Sequence, residues 1–110
     1  MSGLSAGDLD REITIESSTS TQDESGDPIV TWAVLDADVP AQWFPGSSVE
    51  VYRAQQRLEA EIAGIFRVYW RDDITAEGTR ILWDGKTFDV LAPMEGERQQ
   101  WLDIPVKALV

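Results

Sequence analysis

The sequence predicts an all-β chain: a small barrel or sandwich of about six short strands, with one inserted helix and long loops. Three observations predict it. Short β-branched and aromatic runs recur along the 110 residues, separated by clusters of Gly, Pro, Asp and Ser. Two of those runs flank Asp84-Gly85, the pair that a two-residue type I′ hairpin turn uses. All five tryptophans fall inside such runs.

The elements follow in chain order. Residues 1–8 are small and polar and read as a flexible N-terminal arm, leaving 9–110 as a single domain. Leu9-Asp10-Arg11-Glu12-Ile13-Thr14-Ile15-Glu16 alternates apolar and polar from Glu12 onward, the pattern of a half-buried strand. Ser17 to Pro28 has no large apolar residue and reads as a mobile loop. Ile29 to Leu35 is a strand by its Ile, Val and Trp content. Asp36 and Asp38 interrupt it, and extended chain resumes over Val39–Phe44, with Pro40 suited to an edge or a bulge.

Pro45-Gly46-Ser47-Ser48 breaks the pattern, and Ser48 caps an expected helix from Val49 to Glu59 with Val51, Tyr52, Ala54, Gln55 and Leu58 along one stripe. Glu61 to Arg71 reads as a long strand in which Gly64 marks a bulge or a close backbone approach. Asp72 to Gly78 is a turn, and Thr79–Trp83 and Lys86–Leu91 form the hairpin around Asp84-Gly85. After a turn over Pro93–Arg98, Gln99–Val106 is a last strand, its Pro105 again suited to an edge.

Composition narrows function by exclusion. The net charge is −11, with ten acidic residues and one basic in 1–50 against ten and eight in 51–110. Such a surface repels phosphate backbones, so sequence-specific nucleic-acid binding is not expected. No run of apolar residues is long enough to span a membrane, and Met1–Asp10 lacks the basic-then-apolar order of a secretory signal. Without cysteine there are no disulfides or thiolate metal sites, which fits a reducing cytosol. Without histidine the commonest general base and zinc ligand are missing.

No catalytic constellation emerges. Serine and threonine are plentiful but have no activating histidine, and neither a Walker-type loop nor Gly-x-Gly-x-x-Gly occurs. Asp23-Glu24-Ser25-Gly26-Asp27 groups three carboxylates around a glycine, yet it lacks EF-hand spacing and reads as a solvated acidic loop. Asp72-Asp73 reads as turn chemistry. No enzyme, no metal and no cofactor is expected. Trp32, Trp43, Trp70, Trp83 and Trp101 read mainly as core or core-rim residues, the alternative being an exposed aromatic platform.

Taken together, several segments resemble the head–tail joining proteins of tailed phages and gene-transfer-agent particles, also called head-closure or stopper proteins. The segments are Leu9-Asp10-Arg11-Glu12-Ile13-Thr14-Ile15-Glu16, then Gly26-Asp27-Pro28 with Trp32, Ala41-Gln42-Trp43, and Tyr52-Arg53-Ala54-Gln55-Gln56. Phe66-Arg67-Val68-Tyr69-Trp70-Arg71, Ile74-Thr75, Arg80-Ile81 and Asp84-Gly85-Lys86-Thr87-Phe88-Asp89-Val90 complete the order, so the resemblance spans about residues 9–106. One departure is Ala63-Gly64-Ile65, where relatives often carry a Thr-His-Arg-like triplet.

The resemblance implies a β-barrel subunit of a virion ring of six or twelve copies. That ring joins head to tail between the portal or its adaptor and the tail terminator or tail tube protein, assembled in the host bacterial cytoplasm. It closes or gates the channel while DNA passes without sequence-specific binding. Its channel or gating candidates are Phe44, Ser47, Ser48, Glu50, Tyr52, Arg53, Gln55 and Gln56. Asp23, Glu24, Gly26 and Asp27 are candidates for a loop that docks a partner ring, and Trp43, Trp70 and Trp101 for subunit interfaces. Two other readings compete: a small monomeric carbohydrate- or protein-binding β-sandwich using exposed Trp, and an acidic DNA mimic. Basic residues after position 50 spoil the mimic.

Overall fold

The computed structural model describes residues 6–46 and 62–109. Seven strands form one antiparallel sheet: β1 (Arg11–Gln22), β2 (Pro28–Pro45), β3 (Gly64–Tyr69), β4 (Thr79–Trp83), β5 (Lys86–Val90), β6 (Met94–Glu95) and β7 (Trp101–Ala108). Their order is β3-β2-β1-β4-β5-β7-β6, and a further β3–β7 pairing closes the sheet on itself. The all-β expectation stands, with seven strands where the sequence predicts about six. The expected helix from Val49 to Glu59 lies outside the described residues, and so do Ser47, Ser48, Glu50, Tyr52, Arg53, Gln55 and Gln56.

Alternation along the strands builds the core. Ile13 and Ile15 of β1, Val39 and Ala41 of β2, Phe66 and Val68 of β3, and Ile81 of β4 point inward. Phe88 and Val90 of β5 and Leu102, Ile104 and Val106 of β7 complete the same cluster. Each fully buried side chain of this size stabilises the fold by roughly 1.5–3 kcal/mol relative to exposure. Trp43 and Trp83 pack against the cluster's Phe66 and Phe88: Trp43 lies 4.5 Å from Phe66, 5.2 Å from Trp83 and 5.8 Å from Phe88. Phe66 meets Trp83 and Phe88 edge-on, the arrangement that the ring quadrupoles favour.

Two local expectations are met in detail. Asp84 and Gly85 both have positive φ, 53° and 73°, and Trp83 pairs with Lys86 across them, as a type I′ turn requires. Gly64 marks a close backbone approach: a Cβ there would stand 2.3 Å from the Phe44 carbonyl oxygen and 2.4 Å from the Trp43 ring. Pro45 faces Gly64 in the β2–β3 register, so this rung brackets the chain between residues 46 and 63.

Three expectations are corrected. Ser17–Pro28 is not a loop, because β1 runs to Gln22, β2 starts at Pro28, and only residues 23–27 turn. Ser and Thr have nothing to bury there, but the opposite strand satisfies their backbone, and threonine suits extended chain. Asp36 and Asp38 do not interrupt β2. Two register shifts absorb the extra residues, with Ile13 facing Val39, Ile15 facing Asp36 and Glu16 facing Val34, and Asp38 takes the positive φ of 56°. Finally, β7 is no edge: it pairs with β3, β5 and β6. Pro105 is tolerated because it falls between the β7 residues that pair with β6 and those that pair with β5.

Candidate functional site

β1 and β2 outrun the closed sheet. The second edge of β1 pairs with β4 only over Thr14–Ser17, and that of β2 pairs with β3 only over Gln42–Pro45. Beyond those rungs the two strands continue as a two-stranded finger, and the molecule measures 56 × 29 × 28 Å. The docking candidates Asp23, Glu24, Gly26 and Asp27 all stand at its exposed tip. Asp23 Oδ1 accepts the backbone N–H groups of Ser25 and Asp27, each at 2.9 Å, so one carboxylate locks the turn. Gly26 takes φ 86° within that turn, a backbone state that glycine adopts without a Cβ penalty.

Arginines brace the foot of the finger on two sides. Arg80 on β4 donates to Glu16 and stacks 4.3 Å from the Trp32 ring. Arg71, just past β3, donates to Asp73 at 2.6 and 2.7 Å and to Asp36 of β2 at 3.0 Å. The Asp73 hydrogen bonds hold the Arg71 guanidinium above its ordinary value, against desolvation and with help from Asp36. The same bonds hold the Asp73 carboxyl below its ordinary 3.8. A cleft of about 250 Å³ lies here, lined by Asp36, Asp38, Val39, Tyr69, Trp70 and Arg71 among others.

A second arrangement marks the place where the chain leaves β2 towards residue 46. Arg67 on β3 lies 5.0 Å from the Phe44 ring and 4.6 Å from the Trp101 ring. Its fork meets the carboxylate of Asp103 on β7 at 2.7 and 3.0 Å, the bidentate geometry in which arginine is strongest. The Asp103 side chain is only 5% exposed. Of the channel candidates, Phe44 is therefore placed on this stack.

The interface candidates fall in three different surroundings. Trp43 packs within the aromatic cluster, Trp70 packs against the core beside the cleft, and Trp101 stacks on Arg67. All five tryptophans are half-buried. None supplies the flat exposed platform that a sugar-binding module needs. What sequence reasoning missed is the finger's exposed apolar surface, Ile29, Val30, Val34 and Leu35. The signal lies in the register, which sets Ser17–Gln22, without a large side chain, opposite Pro28–Ala33.

Comparison with known proteins bears on the family and the fold. The family model for phage head completion proteins matches residues 4–109. Among solved structures, protein SF1141 from Shigella flexneri 2a is similar with a TM-score of 0.76 at 22% identity, over 96% of each chain. A chain from the virion of a native gene transfer agent particle is similar with a TM-score of 0.65 at 18% identity, over 93% of this chain and 96% of that one. At these identities the structures show the shared fold. No curated protein matches.

Proposed function

The chain belongs to the phage head completion protein family, and on that premise we propose that it joins head to tail as a ring of six or twelve copies. The ring sits between the portal or its adaptor and the tail terminator or tail tube, and closes or gates the DNA channel. One observation carries this reading: the family match spans residues 4–109, nearly the whole chain. The similar chain from a gene transfer agent virion supports a place in the particle, with assembly in the host cytoplasm. The work is structural, done by shape and adhesion, with no bond made or broken.

Charge supports the channel role. A wall of net charge −11 per copy offers passing DNA few cations to displace counterions from its phosphates. Phe44 and the residues after it, Ser47, Ser48, Glu50, Tyr52, Arg53, Gln55 and Gln56, are the gating candidates, and Phe44 stands on a braced rung of the sheet. The finger tip, with Asp23, Glu24, Gly26 and Asp27, is the candidate for docking a neighbouring collar.

Deletion of Ser47–Gln56 tests the gate. The deleted chain is expected to keep the native circular-dichroism spectrum, while particles made with it lose DNA or lack tails. Full, tailed particles at wild-type yield would overturn the channel role.

A further inference from the structure

The stem of the finger, Ser17–Gln22 and Pro28–Leu35, contains fourteen residues and not one charge, in a chain that is 26% charged. Within it Ile29, Val30, Val34 and Leu35 are 45, 57, 58 and 41% exposed. The stem also holds long open strand edges. The body closes through the β3–β7 pairing, whereas among the described residues no strand pairs with the outer edge of β2 from Pro28 to Ala41. The outer edge of β1 has no strand partner from Thr19 to Gln22.

Proteins that leave such an edge in solvent shield it with lysine, proline, inward charges or bulges. Ile29–Val34 has none of these, and the first register shift comes only after Val34. An edge that is apolar, regular in register and unguarded is built to be covered.

We propose that a second copy of this chain covers it: the outer β2 edge around Ile29–Val34 of one copy pairs with the outer β1 edge around Thr19–Gln22 of the next. The proposal rests on the ring reading above. Charge selects the occupant. Two chains of net charge −11 repel wherever their acidic surfaces meet, so copies associate best through a surface free of charge. A basic partner would gain nothing from an uncharged stem.

Geometry agrees. Copies related by rotation point their fingers the same way, so β1 climbing to one tip lies beside β2 descending from the next. That contact is antiparallel, as inside each finger. The two edges differ, so the contact is heterologous and propagates to a closed ring.

The absence of cysteine makes cross-linking a clean test. Ser20 faces Val30 and Val34 faces Glu16 within one finger, and Ser20→Cys and Val34→Cys are placed in separate chains. Particles assembled from an equal mixture and oxidised with copper-phenanthroline are expected to give mixed dimers, at least tenfold above either variant alone. Val30→Cys replaces Val34→Cys to cover a register shifted along the edge. Assembled connectors that give no mixed dimer with either partner would overturn the proposal while leaving the ring intact, and so would a dominant dimer of Val34→Cys alone. A single copy of the unsubstituted chain per particle, counted by quantitative mass spectrometry, would overturn the ring and this contact with it.

Discussion

The closed body and the finger are built from similar residue types and use them in opposite ways. In the body, Ile13, Ile15, Ile81, Ile104 and Val106 are at most 1% exposed; in the finger, Val30 and Val34 are more than half exposed. The body's strands earn their order by burial. The finger's strands hold theirs through cross-strand hydrogen bonds, β-branched side chains and the arginine braces at the foot. Apolar residues in a strand therefore do not by themselves indicate a core, and what stands opposite them decides. Opposite Ile29–Ala33 stand serine and threonine, and opposite Val34 stands Glu16, so those side chains meet no apolar partner across the strand.

Breaking the body gives the largest expected effect. Phe66→Ala removes a fully buried ring at the centre of the aromatic cluster and should destabilise the fold by about 3–5 kcal/mol. Urea denaturation would show it as a lower midpoint with an unchanged slope. The same kind of change in the finger should do little: Val30→Lys with Val34→Lys is expected to shift stability by no more than about 1 kcal/mol for the pair, read on the same urea curve. A loss as large as that of Phe66→Ala would mean that the finger belongs to the body's cooperative unit.

The smallest effect sharpens the boundary between the two regions at Arg71. Asp73 is held below its ordinary 3.8 by Arg71. Its contribution to stability is thus fully present above that value and disappears as the pH falls through the lowered folded value. Asp73→Asn should flatten the acid limb of a melting-temperature profile below about pH 4 and lower stability slightly at pH 7. An acid limb identical to the wild type would show that the ion pair contributes nothing measurable, as many exposed pairs do.

Much of the body was legible in the sequence. Alternation at Ile13–Ile15, the Asp84-Gly85 turn and the glycine at 64 each report a local rule whose cause lies within a few residues. Legibility failed where the cause is distant. Nothing near Ser17–Gln22 reveals that it pairs with Pro28–Ala33 into a finger, because its own side chains bury little. The Pro in β7 looked like an edge signal, but the strand's other neighbours leave a gap where Pro105 falls. The clamp of Arg67 on Asp103 joins residues 36 positions apart, a separation that no window-based pattern contains. Of the candidate site, the tip residues were identifiable as a group from composition, while the stem beneath them needed the pairing register.

The Pro45–Gly64 rung holds the two ends of the chain between residues 46 and 63 side by side. Both ends of that segment depart from one fixed point of the sheet, where even a methyl group on Gly64 would clash. For any flexible connection between two such points, closure entropy grows by only about 0.6 kcal/mol per doubling of length. The frame thus sets where the segment leaves the sheet and where it returns, two points held one strand spacing apart.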